Sequence, residues 1–402
     1  MATNNNNKVL NVPNLRFPEF SGEWKRSSLG EVTTFVKERI STDKLTRNNY
    51  VSTENMNSDF GGINQASSVP NNTNVIHYQK GDVLLSNIRP YLRKVWVASS
   101  DGGCSADVFV FRAKSISSSF LHHIMANDTF INYVMSGAKG VKMPRGDKEQ
   151  MLKYIFSTPN IEEQNKISHL LHLLDERIST QHKIIDKLQS LIKGLSDSLL
   201  NNPQWDKICL RSFMEFYPTN SLSWEQLSYK EGLIRNLHYG LIHSFSTIGI
   251  DSLSLPMITP NNTPKQYTLC RNGDIAFADA SEDTNEIAKA VEFIDTNDYD
   301  TVCGLHTIHG RDIKNITLVG FKGFVFNSHY FHSQIRRLAQ GTKVFSITVN
   351  NLMSCYAYVP NKSKQKSIVE LLKTMENKLS MNRFLLEKYE IQRSYLLQQM
   401  FI

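Results

Sequence analysis

The sequence predicts a mixed α/β (α+β) protein of two similar domains, each followed by a long helix, with the two helices pairing as an antiparallel coiled coil. Three observations lead to this fold class. The chain has 402 residues, which is too long for one ordinary hydrophobic core. Its two halves share motifs at a spacing near 200 residues, and each half ends in a heptad pattern that is typical of a coiled coil.

The bulk composition is globular, with 40% apolar and 21% charged residues. A net charge of +7 favours a polyanionic partner, but the excess is small enough that its placement matters more than its sum. The five cysteines include no C-x-x-C pair, so we expect free thiols and neither a disulfide framework nor a thiolate metal site. The N-terminus lacks the apolar core of a signal peptide, and no apolar run approaches the ~18 residues of a membrane span. We therefore expect a soluble, cytoplasmic protein with no membrane partner.

The internal repeat is clearest in the last third of each half, where its offset is constant. GAKGVK at 137–142 aligns with LAQGTK at 338–343, and PNIEEQNKI at 159–167 aligns with PNKSKQKSI at 360–368, both at an offset of 201. Earlier matches have smaller offsets, such as 192 between Gly81-Asp82-Val83 and Gly273-Asp274-Ile275. An offset that grows in steps is what loop insertions between shared elements produce.

These matches divide the chain into five parts. We predict an N-terminal arm at 1–19, a first domain at 20–160, a first helix at 161–201, a second domain at 202–360 and a second helix at 361–402. In the first domain, 81–98 and 104–114 are expected to form strands and 119–136 a helix. In the second domain, 273–280 and 305–311 take the places of the strands.

The two terminal helices carry hydrophobic residues at alternating spacings of four and three, which is an a/d seam sustained over more than four heptads. Both seams contain an amide at the matched position, Gln181 and Asn382. A buried amide pair would penalise slipped registers, because each amide would then face a leucine; alternatively, the seam rotates outward and both amides are solvated. The residues expected to pair are Ile167, Leu171, Leu174, Ile178, Gln181, Ile185, Leu188, Ile368, Leu372, Met375, Leu379, Asn382, Leu386 and Tyr389.

Basic residues gather at turns that contain glycine or proline, in NIRPYLRK, AKGVKMPRGDK and IRRLAQGTK. Glycine lets backbone amides approach a phosphate, and flanking Lys or Arg neutralises it, so this pattern favours contact with the DNA backbone. Alternatively, the clusters are merely solvated faces. The candidate DNA-binding residues are Arg89, Arg93, Lys94, Lys139, Lys142, Arg145, Lys148, Arg336, Arg337 and Lys343.

Known catalytic patterns are missing from the sequence. Asn202-Pro203-Gln204-Trp205 lacks the second proline of the N-P-P-aromatic motif of amino-methylating DNA methyltransferases, and no G-x4-G-K-[ST] phosphate loop is present. The pairs His122 with His123 and His306 with His309 have no carboxylate set at metal-ligand spacing, so we expect them to be structural. We predict no catalytic residue and no metal site.

The order of motifs resembles type I restriction–modification specificity subunits. The motifs that carry the resemblance are Trp24-x4-Leu29-Gly30-Glu31, Gly81-Asp82-Val83-Leu84, Gly140-x-Lys142 and Pro159-x-x-Glu162-Glu163-Gln164-x-x-Ile167 before a heptad helix. The likeness covers nearly the whole chain and occurs in both halves. The second half departs from it in Ser363-Lys364-Gln365 and in Ala276-Phe277-Ala278.

This resemblance implies a non-catalytic, DNA-binding subunit of a prokaryotic restriction system. Each target-recognition domain would read one half of a split site on double-stranded DNA, and the helices would set the gap. The implied partners are two modification (methyltransferase) subunits and restriction (endonuclease/translocase) subunits. Together they would form a DNA adenine methyltransferase and type I site-specific endonuclease. S-adenosylmethionine, ATP and Mg²⁺ are implied for those partners and not for this chain.

Two other functions remain open at this point. One is a coiled-coil scaffold that binds protein and never touches nucleic acid. The other is a single-chain DNA methyltransferase or nuclease with degenerate motifs, which the motif search disfavours. Salt-dependent binding of duplex DNA would separate the first from the specificity subunit, and activity of the purified chain alone would be needed for the second.

Overall fold

A computed structural model of the protein describes residues 10–245, 249, 254–294, 296 and 299–402. The first nine residues of the expected N-terminal arm therefore lie outside the described residues. The chain forms two compact units, unit 1 from Met1–Gln181 with Leu385–Ile402, and unit 2 from His182–Phe384. Among the described residues, no helix combines the length and the apolar character that crossing a bilayer requires.

Unit 1 is a mixed α/β domain built around two four-stranded sheets, ordered β2-β9-β6-β7 and β3-β5-β8-β4, with β1 and β10 as a separate antiparallel pair. Its elements in chain order are β1 (Lys25–Ser28), α1 (Leu29–Val32), β2 (Thr33–Phe35), β3 (Arg39–Ser41), β4 (Tyr50–Val51), β5 (Asn74–Tyr78), β6 (Val83–Ser86), β7 (Val95–Val97), β8 (Gly102–Cys104), β9 (Val108–Ala113), α2 (Ser118–Met125), α3 (Asp128–Ser136), α4 (Lys148–Leu152), β10 (Ile155–Thr158) and α5 (Ile161–Leu200), which continues into unit 2.

Unit 2 has a corresponding sheet ordered β12-β20-β16-β18 and a pair β11-β22. Its second sheet is ordered β13-β15-β14-β19, so that the strand ending in Cys303 lies at the edge, and it has a further pair β17-β21. Its elements are β11 (Asp206–Cys209), β12 (Met214–Tyr217), β13 (Leu227–Ser228), β14 (Arg235–Leu237), α6 (Tyr239–Ile242), β15 (Met257–Ile258), β16 (Ile275–Ala278), β17 (Ala280–Ser281), β18 (Ala290–Glu292), β19 (Thr301–Cys303), β20 (Thr307–Asp312), α7 (Phe321–Phe326), α8 (His329–Leu338), β21 (Phe345–Ser346), α9 (Val349–Met353), β22 (Tyr356–Val359) and α10 (Lys362–Gln399), whose end belongs to unit 1.

The sequence placed most of these elements correctly but missed breaks inside them. The segment 119–136 is two helices, because the Asn127 side chain accepts a hydrogen bond from the backbone N–H of Thr129 and caps a new helix. The segment 81–98 is the β6–β7 hairpin, interrupted by a 3₁₀ turn at Pro90–Leu92, where proline would remove a ladder hydrogen bond. In the second domain, 273–280 contains β16, and the strand expected at 305–311 is β20.

An ion pair with a buried carboxylate holds the same place beside the sheets β2-β9-β6-β7 and β12-β20-β16-β18. The Arg112 guanidinium donates to both carboxylate oxygens of Asp82 at 2.9 Å. In unit 2, Arg311 donates to Asp274 at 2.8 and 2.7 Å. Bidentate pairing of this kind fixes both side chains, so the repeat seen in the sequence extends to the interior of each unit.

The first turn of each long helix is fixed to its own domain by the same residues. Asn160 and Asn361 accept a hydrogen bond from the backbone N–H three residues later, as helix caps do. Gln164 and Gln365 are buried and join the helix to the segment before α2 or α7. The Pro-Asn-x-x-x-Gln motif is therefore a joint within each domain.

The two long helices run antiparallel where they meet. In unit 1, Asp175 of α5 pairs with Arg393 of α10 at 2.5 Å, and Leu171 shares a hydrophobic cluster with Leu397. The partner numbers fall as the α5 numbers rise. In unit 2, Leu200 shares a cluster with Ile368 and Leu372 in the same sense. The predicted fold class is confirmed. Arg393 interrupts the apolar seam of α10, and its ion pair with Asp175 compensates for that interruption.

Candidate nucleic-acid interface

A glycine loop in unit 1 projects from the domain between α3 and α4. Lys139 and Arg145 exchange two backbone hydrogen bonds, of 2.9 and 2.8 Å, that close the loop at its base. Gly140 has φ +94°, in the left-handed region where a side chain is strained. Lys142 lies at the exposed tip, and no hydrogen bond or ion pair from it is found to the described residues. This geometry presents a cation and open backbone to solvent.

Unit 2 carries the same loop at the offset of 201. Gln340 and Ser346 exchange the equivalent backbone hydrogen bonds, of 3.0 and 2.8 Å. Gly341 has φ +128°, and a Cβ there would lie 2.0 Å from the carbonyl oxygen of Val344, so only glycine fits. Lys343 is exposed, and its ammonium makes no ion pair within the described ranges. The Gly-x-Lys match is therefore a match of structure.

The turn after β6 lies directly against the loop of unit 1. Arg89 has φ +50°, and its backbone N–H donates to the carbonyl of Pro144 at 2.8 Å. Gly146 donates in turn to the carbonyl of Asn87. The exposed Arg89 side chain has no ion-pair partner among the described residues. Arg89 and Lys142 thus belong to one continuous surface, the loop–turn surface of unit 1.

The other basic side chains of this surface already make hydrogen bonds or ion pairs within unit 1. Arg93 pairs with Asp59 and Asp128, and Lys94 donates to the carbonyl of Thr53. Such contacts hold a turn in place and leave less of the charge available to a phosphate. The remaining pairs are Lys139 with Asp147, Arg145 with Asp107, and Lys148 with Glu149.

The Lys139 pair shifts both pKa values in the expected directions. Hydrogen bonding to Asp147 raises the pKa of Lys139, and the same bond lowers the pKa of Asp147. Lys139 is exposed and Asp147 is half-buried, so solvent screens the pair and it adds little to stability. A phosphate could compete for this lysine at low cost.

The corresponding turn of unit 2 carries the opposite charge. Its residues 280–289 include three acidic side chains and one lysine, where unit 1 has Arg89, Arg93 and Lys94. Arg336 of α8 donates to Asn285 in this turn at 3.2 Å and lines an open cleft of about 390 Å³. Arg337 is exposed, and no contact of its guanidinium is found in the described part of the chain. Among the basic clusters predicted from the sequence, the Gly-x-Lys loop is the one whose structure recurs in the described residues of both units.

The residues expected to pair the helices lie on one face of each helix. Every one of them is buried or half-buried, whereas most residues between them are exposed. Gln181 is 5% exposed within unit 1, and Asn382 is half-buried within unit 2, where its amide donates to the carbonyl of Lys378 one turn earlier. Pairing of the two amides with each other stays a prediction.

The four histidines considered in the sequence differ in their surroundings. His123 is 3% exposed, and burial lowers its pKa to about 3, so it is a neutral part of the unit 1 core. His122 neighbours it on α2, and burial likewise lowers its pKa to about 3. His306 is half-exposed and lies 3.1 Å from Asp279. His309 is different, because it is buried beside two thiols.

Sequence reasoning missed the apolar tips of the glycine loops. Val141 is 99% exposed and Met143 is 49% exposed, and in unit 2 Val344 is 53% exposed. Apolar side chains at an exposed tip are available to contact a base edge or a methyl group in a groove. The only signal in the sequence is a hydrophobic residue beside each Gly-x-Lys. In a loop without periodicity, the sequence does not show whether such a residue is exposed or buried.

Comparison with known families supports the expected relationship. Residues 21–190 match the model of the type I restriction modification DNA specificity domain. Over 123 residues the chain is 28% identical to the type I restriction enzyme EcoDI specificity subunit of Escherichia coli, covering 31% of this chain and 28% of that one. Over 281 residues it is 24% identical to the MjaVIII specificity subunit of Methanocaldococcus jannaschii, covering 65% and 64%. The matched regions thus span less than two thirds of either relative.

Solved structures show the same fold across the whole chain. The S subunit of a type I restriction–modification system from M. genitalium aligns with a TM-score of 0.62 at 13% identity, covering 97% of this chain and 99% of that one. A chain from a study of complex assembly and conformational transition in the type I system aligns with a TM-score of 0.54 at 17% identity, covering 93% and 96%. The resemblance expected from the motifs is confirmed.

Proposed function

We propose that this chain is a non-catalytic subunit that reads a bipartite site on double-stranded DNA, because residues 21–190 match the model of the type I restriction modification DNA specificity domain. Unit 1 reads one half-site and unit 2 reads the other. The observation that carries the proposal is the Gly-x-Lys loop, which has the same backbone closure, the same left-handed glycine and the same exposed lysine in both units.

The two lysines contact phosphates and position each unit on the duplex. An exposed ammonium without an intramolecular partner gives up no internal contact when it binds a phosphate, and its binding releases a condensed counterion from the DNA. The sequence-specific contacts come from neighbouring apolar and amide side chains, since phosphate contacts carry no base information. This division assigns affinity and specificity to different residues of the same loop.

A double variant tests the phosphate contacts. Lys142→Ala with Lys343→Ala should weaken binding to target and non-target duplexes alike and reduce the slope of log K against log salt by about 2. Lys314→Ala, which removes an exposed lysine of unit 2 outside the loop, is the control. Loss of preference for one half-site alone, with the salt slope unchanged, would show that these lysines read bases.

We propose that the long helices set the gap between the half-sites. The helices have 40 and 38 residues, and a helix rises about 1.5 Å per residue. One heptad inserted between Gln181 and His182, together with one between Phe384 and Leu385, adds about 10 Å where the chain passes between the units. At about 3.4 Å per base pair, the recognised gap should grow by about three base pairs.

Methylome sequencing of a host that carries the variant and its modification partner gives the result directly. The half-sites should stay as in the wild type while the gap lengthens. Substituting seven exposed positions of the helices by alanine, without changing their length, is the matched control. An unchanged gap in the insertion variant would refute the proposed ruler.

Modification subunits dock on the exposed apolar residues of the helices. Ile391 and Tyr395 of α10 are 53% and 56% exposed, and Met381 is 72% exposed. Large apolar side chains in such positions are typical of protein-binding surfaces. Restriction subunits complete the assembly, and S-adenosylmethionine, ATP and Mg²⁺ are bound by the partners. Ile391→Glu should abolish co-purification with the modification subunit, whereas Glu390→Gln beside it should not.

A further inference from the structure

Three side chains of unit 2 come together in the interior although they are far apart in sequence. Cys270 precedes β16, Cys303 ends β19 and His309 lies in β20. The two sulfur atoms are 3.6 Å apart, and one ligand atom from each of the three residues lies within 4.8 Å of the others. The residues are 5%, 3% and 1% exposed. The cluster is therefore a compact, buried set of two thiols and an imidazole.

One nitrogen of the histidine is committed and the other is not. Nε2 of His309 lies 2.7 Å from a carboxylate oxygen of Asp274. Nδ1 is buried and has no hydrogen-bond partner within the described residues. A buried ring nitrogen without a partner is costly, whereas a histidine that donates one N–H to a carboxylate and offers the other nitrogen to an ion is the usual arrangement at metal sites.

Asp274 is itself held rigidly by its other contacts. It accepts two hydrogen bonds from Arg311 and one from the backbone N–H of Arg271. Both carboxylate oxygens are thus occupied, so Asp274 orients the histidine and is not a ligand. Its partner Arg311 belongs to the ion pair that both units share, which means that the orienting group is part of the domain frame.

We propose that Cys270, Cys303 and His309 bind a zinc-class metal ion in unit 2. Two thiolates and one imidazole are the ligands that Zn²⁺ prefers. Two thiolates on one tetrahedral zinc, each at about 2.3 Å, would be about 3.8 Å apart, close to the spacing of the two sulfur atoms. Two thiol protons leave as the ion binds, and a solvent molecule takes the fourth position.

The first domain provides an internal comparison. At the position of Cys270 it has Tyr78, which fills the space with a ring and donates its hydroxyl to the carbonyl of Asn49 at 2.9 Å. Val110 stands where unit 2 has His309. Cys104 alone is retained, and its thiol contacts the carbonyl of Val108. The donor set is thus specific to unit 2, where β19 and β20 belong to different sheets that one ion would join.

The metal content of the purified full-length chain, produced without a histidine tag, tests the site. After equilibration with Zn²⁺ and removal of the excess, mass spectrometry should find one zinc per chain. Cys104→Ser, the matched thiol of unit 1, should retain it, while Cys270→Ser and Cys303→Ser should each lose at least nine tenths. Equal zinc in all four proteins, or none in the wild type, would overturn the proposal.

A second measurement needs no variant and so does not depend on their folding. Co²⁺ added to the wild-type chain should give thiolate-to-cobalt charge-transfer absorption and the d–d bands of a tetrahedral site, saturating at one equivalent. Free-thiol titration should then fall by two while cobalt is bound and recover on chelation. Absence of the charge-transfer band would overturn the metal site. Loss of two thiols in air without any metal would instead show that Cys270 and Cys303 form a redox pair.

Discussion

The two units have the same frame but different interiors. In unit 2, Glu292 and Lys322 are buried and form an ion pair at 3.1 Å. In unit 1, strand pairing matches Val97 with Glu292, and the offset of 201 matches Leu121 with Lys322. A shared backbone therefore accepts either an apolar contact or a charge pair at one place. What the two units keep in common is the Arg–Asp pair, the capped helix start and the glycine loop.

The largest effect is expected from breaking the buried charge pair of unit 2. Lys322→Leu places the unit 1 residue there and leaves Glu292 buried without its cation, which should cost about 3–5 kcal/mol. Adding Glu292→Val completes the exchange and should restore most of that stability, because well-packed apolar residues replace buried ion pairs at little cost.

Hydrogen exchange resolves this effect by unit, which a single melting transition of a two-unit protein does not. Peptides of β16, β18 and α7 should lose protection in Lys322→Leu and regain it in the double variant. Unit 1 peptides serve as the internal control. A double variant as unstable as the single one would mean that the frames of the two units are not interchangeable here.

The next effect concerns the glutamine that anchors each helix. Gln365 makes hydrogen bonds to Leu318, Pro360 and Ile316 at 2.6, 2.7 and 3.0 Å, whereas Gln164 makes bonds to Ser117 and Pro159 at 2.8 and 2.9 Å. Substitution by leucine leaves buried polar groups unsatisfied, at about 1–3 kcal/mol. Gln365→Leu should be the more costly of the two in unfolding measurements. Equal or reversed costs would show that the extra bond in unit 2 contributes nothing.

The sequence predicted features that depend on local periodicity and missed those that depend on strand pairing. The heptad seams were readable because a helix places residues three and four apart on one face. The cluster of Cys270, Cys303 and His309 was not readable from the sequence, because these residues are far apart in it and no C-x-x-C pair is present. Their sulfur atoms approach each other because the neighbouring residues Leu269 and Val302 form an antiparallel bridge.

The candidate interface shows the same limit. The glycine loops were predicted correctly as paired features, since Gly-x-Lys recurs at one offset. The state of the individual charges was not predictable, because the carboxylates that hold Arg93 come from residues 59 and 128, far away in sequence. The acidic residues at 280–289 are visible in the sequence. That this segment corresponds to the basic turn of unit 1 follows only from the strand order.

A pH change should distinguish the units through His123. Unit 2 has Phe324 at the matched position. Burial lowers the pKa of His123 to about 3, with the charge of Arg393 adding to the effect. The unfolded chain therefore binds a proton below about pH 6.5 that the folded core rejects. This contribution to stability is present at neutral pH and is lost as the pH falls from about 6.5 towards 3.

The expected loss is about 1 kcal/mol between pH 6.5 and 5.5 for this one histidine. His123→Phe should flatten the pH dependence of hydrogen exchange in unit 1 by that amount and leave unit 2 unchanged. His172→Phe, on the exposed face of α5, is the matched control. A slope that survives in His123→Phe would assign the acid sensitivity to other groups, such as the neighbouring His122.

The smallest effect tests the charge difference between the two turns. Arg89 of unit 1 is exposed beside the loop, and the matched residue of unit 2 is Ser281 in the acidic turn. Arg89→Ala should weaken DNA binding a few-fold and lower the salt slope by about 1, because one phosphate contact is lost. Ser281→Ala should change neither quantity. If both variants bind like the wild type, neither turn contacts the DNA backbone. If Arg89→Ala alters one half-site preference and keeps the salt slope, the arginine reads a base. A bidentate guanidinium can do this at guanine.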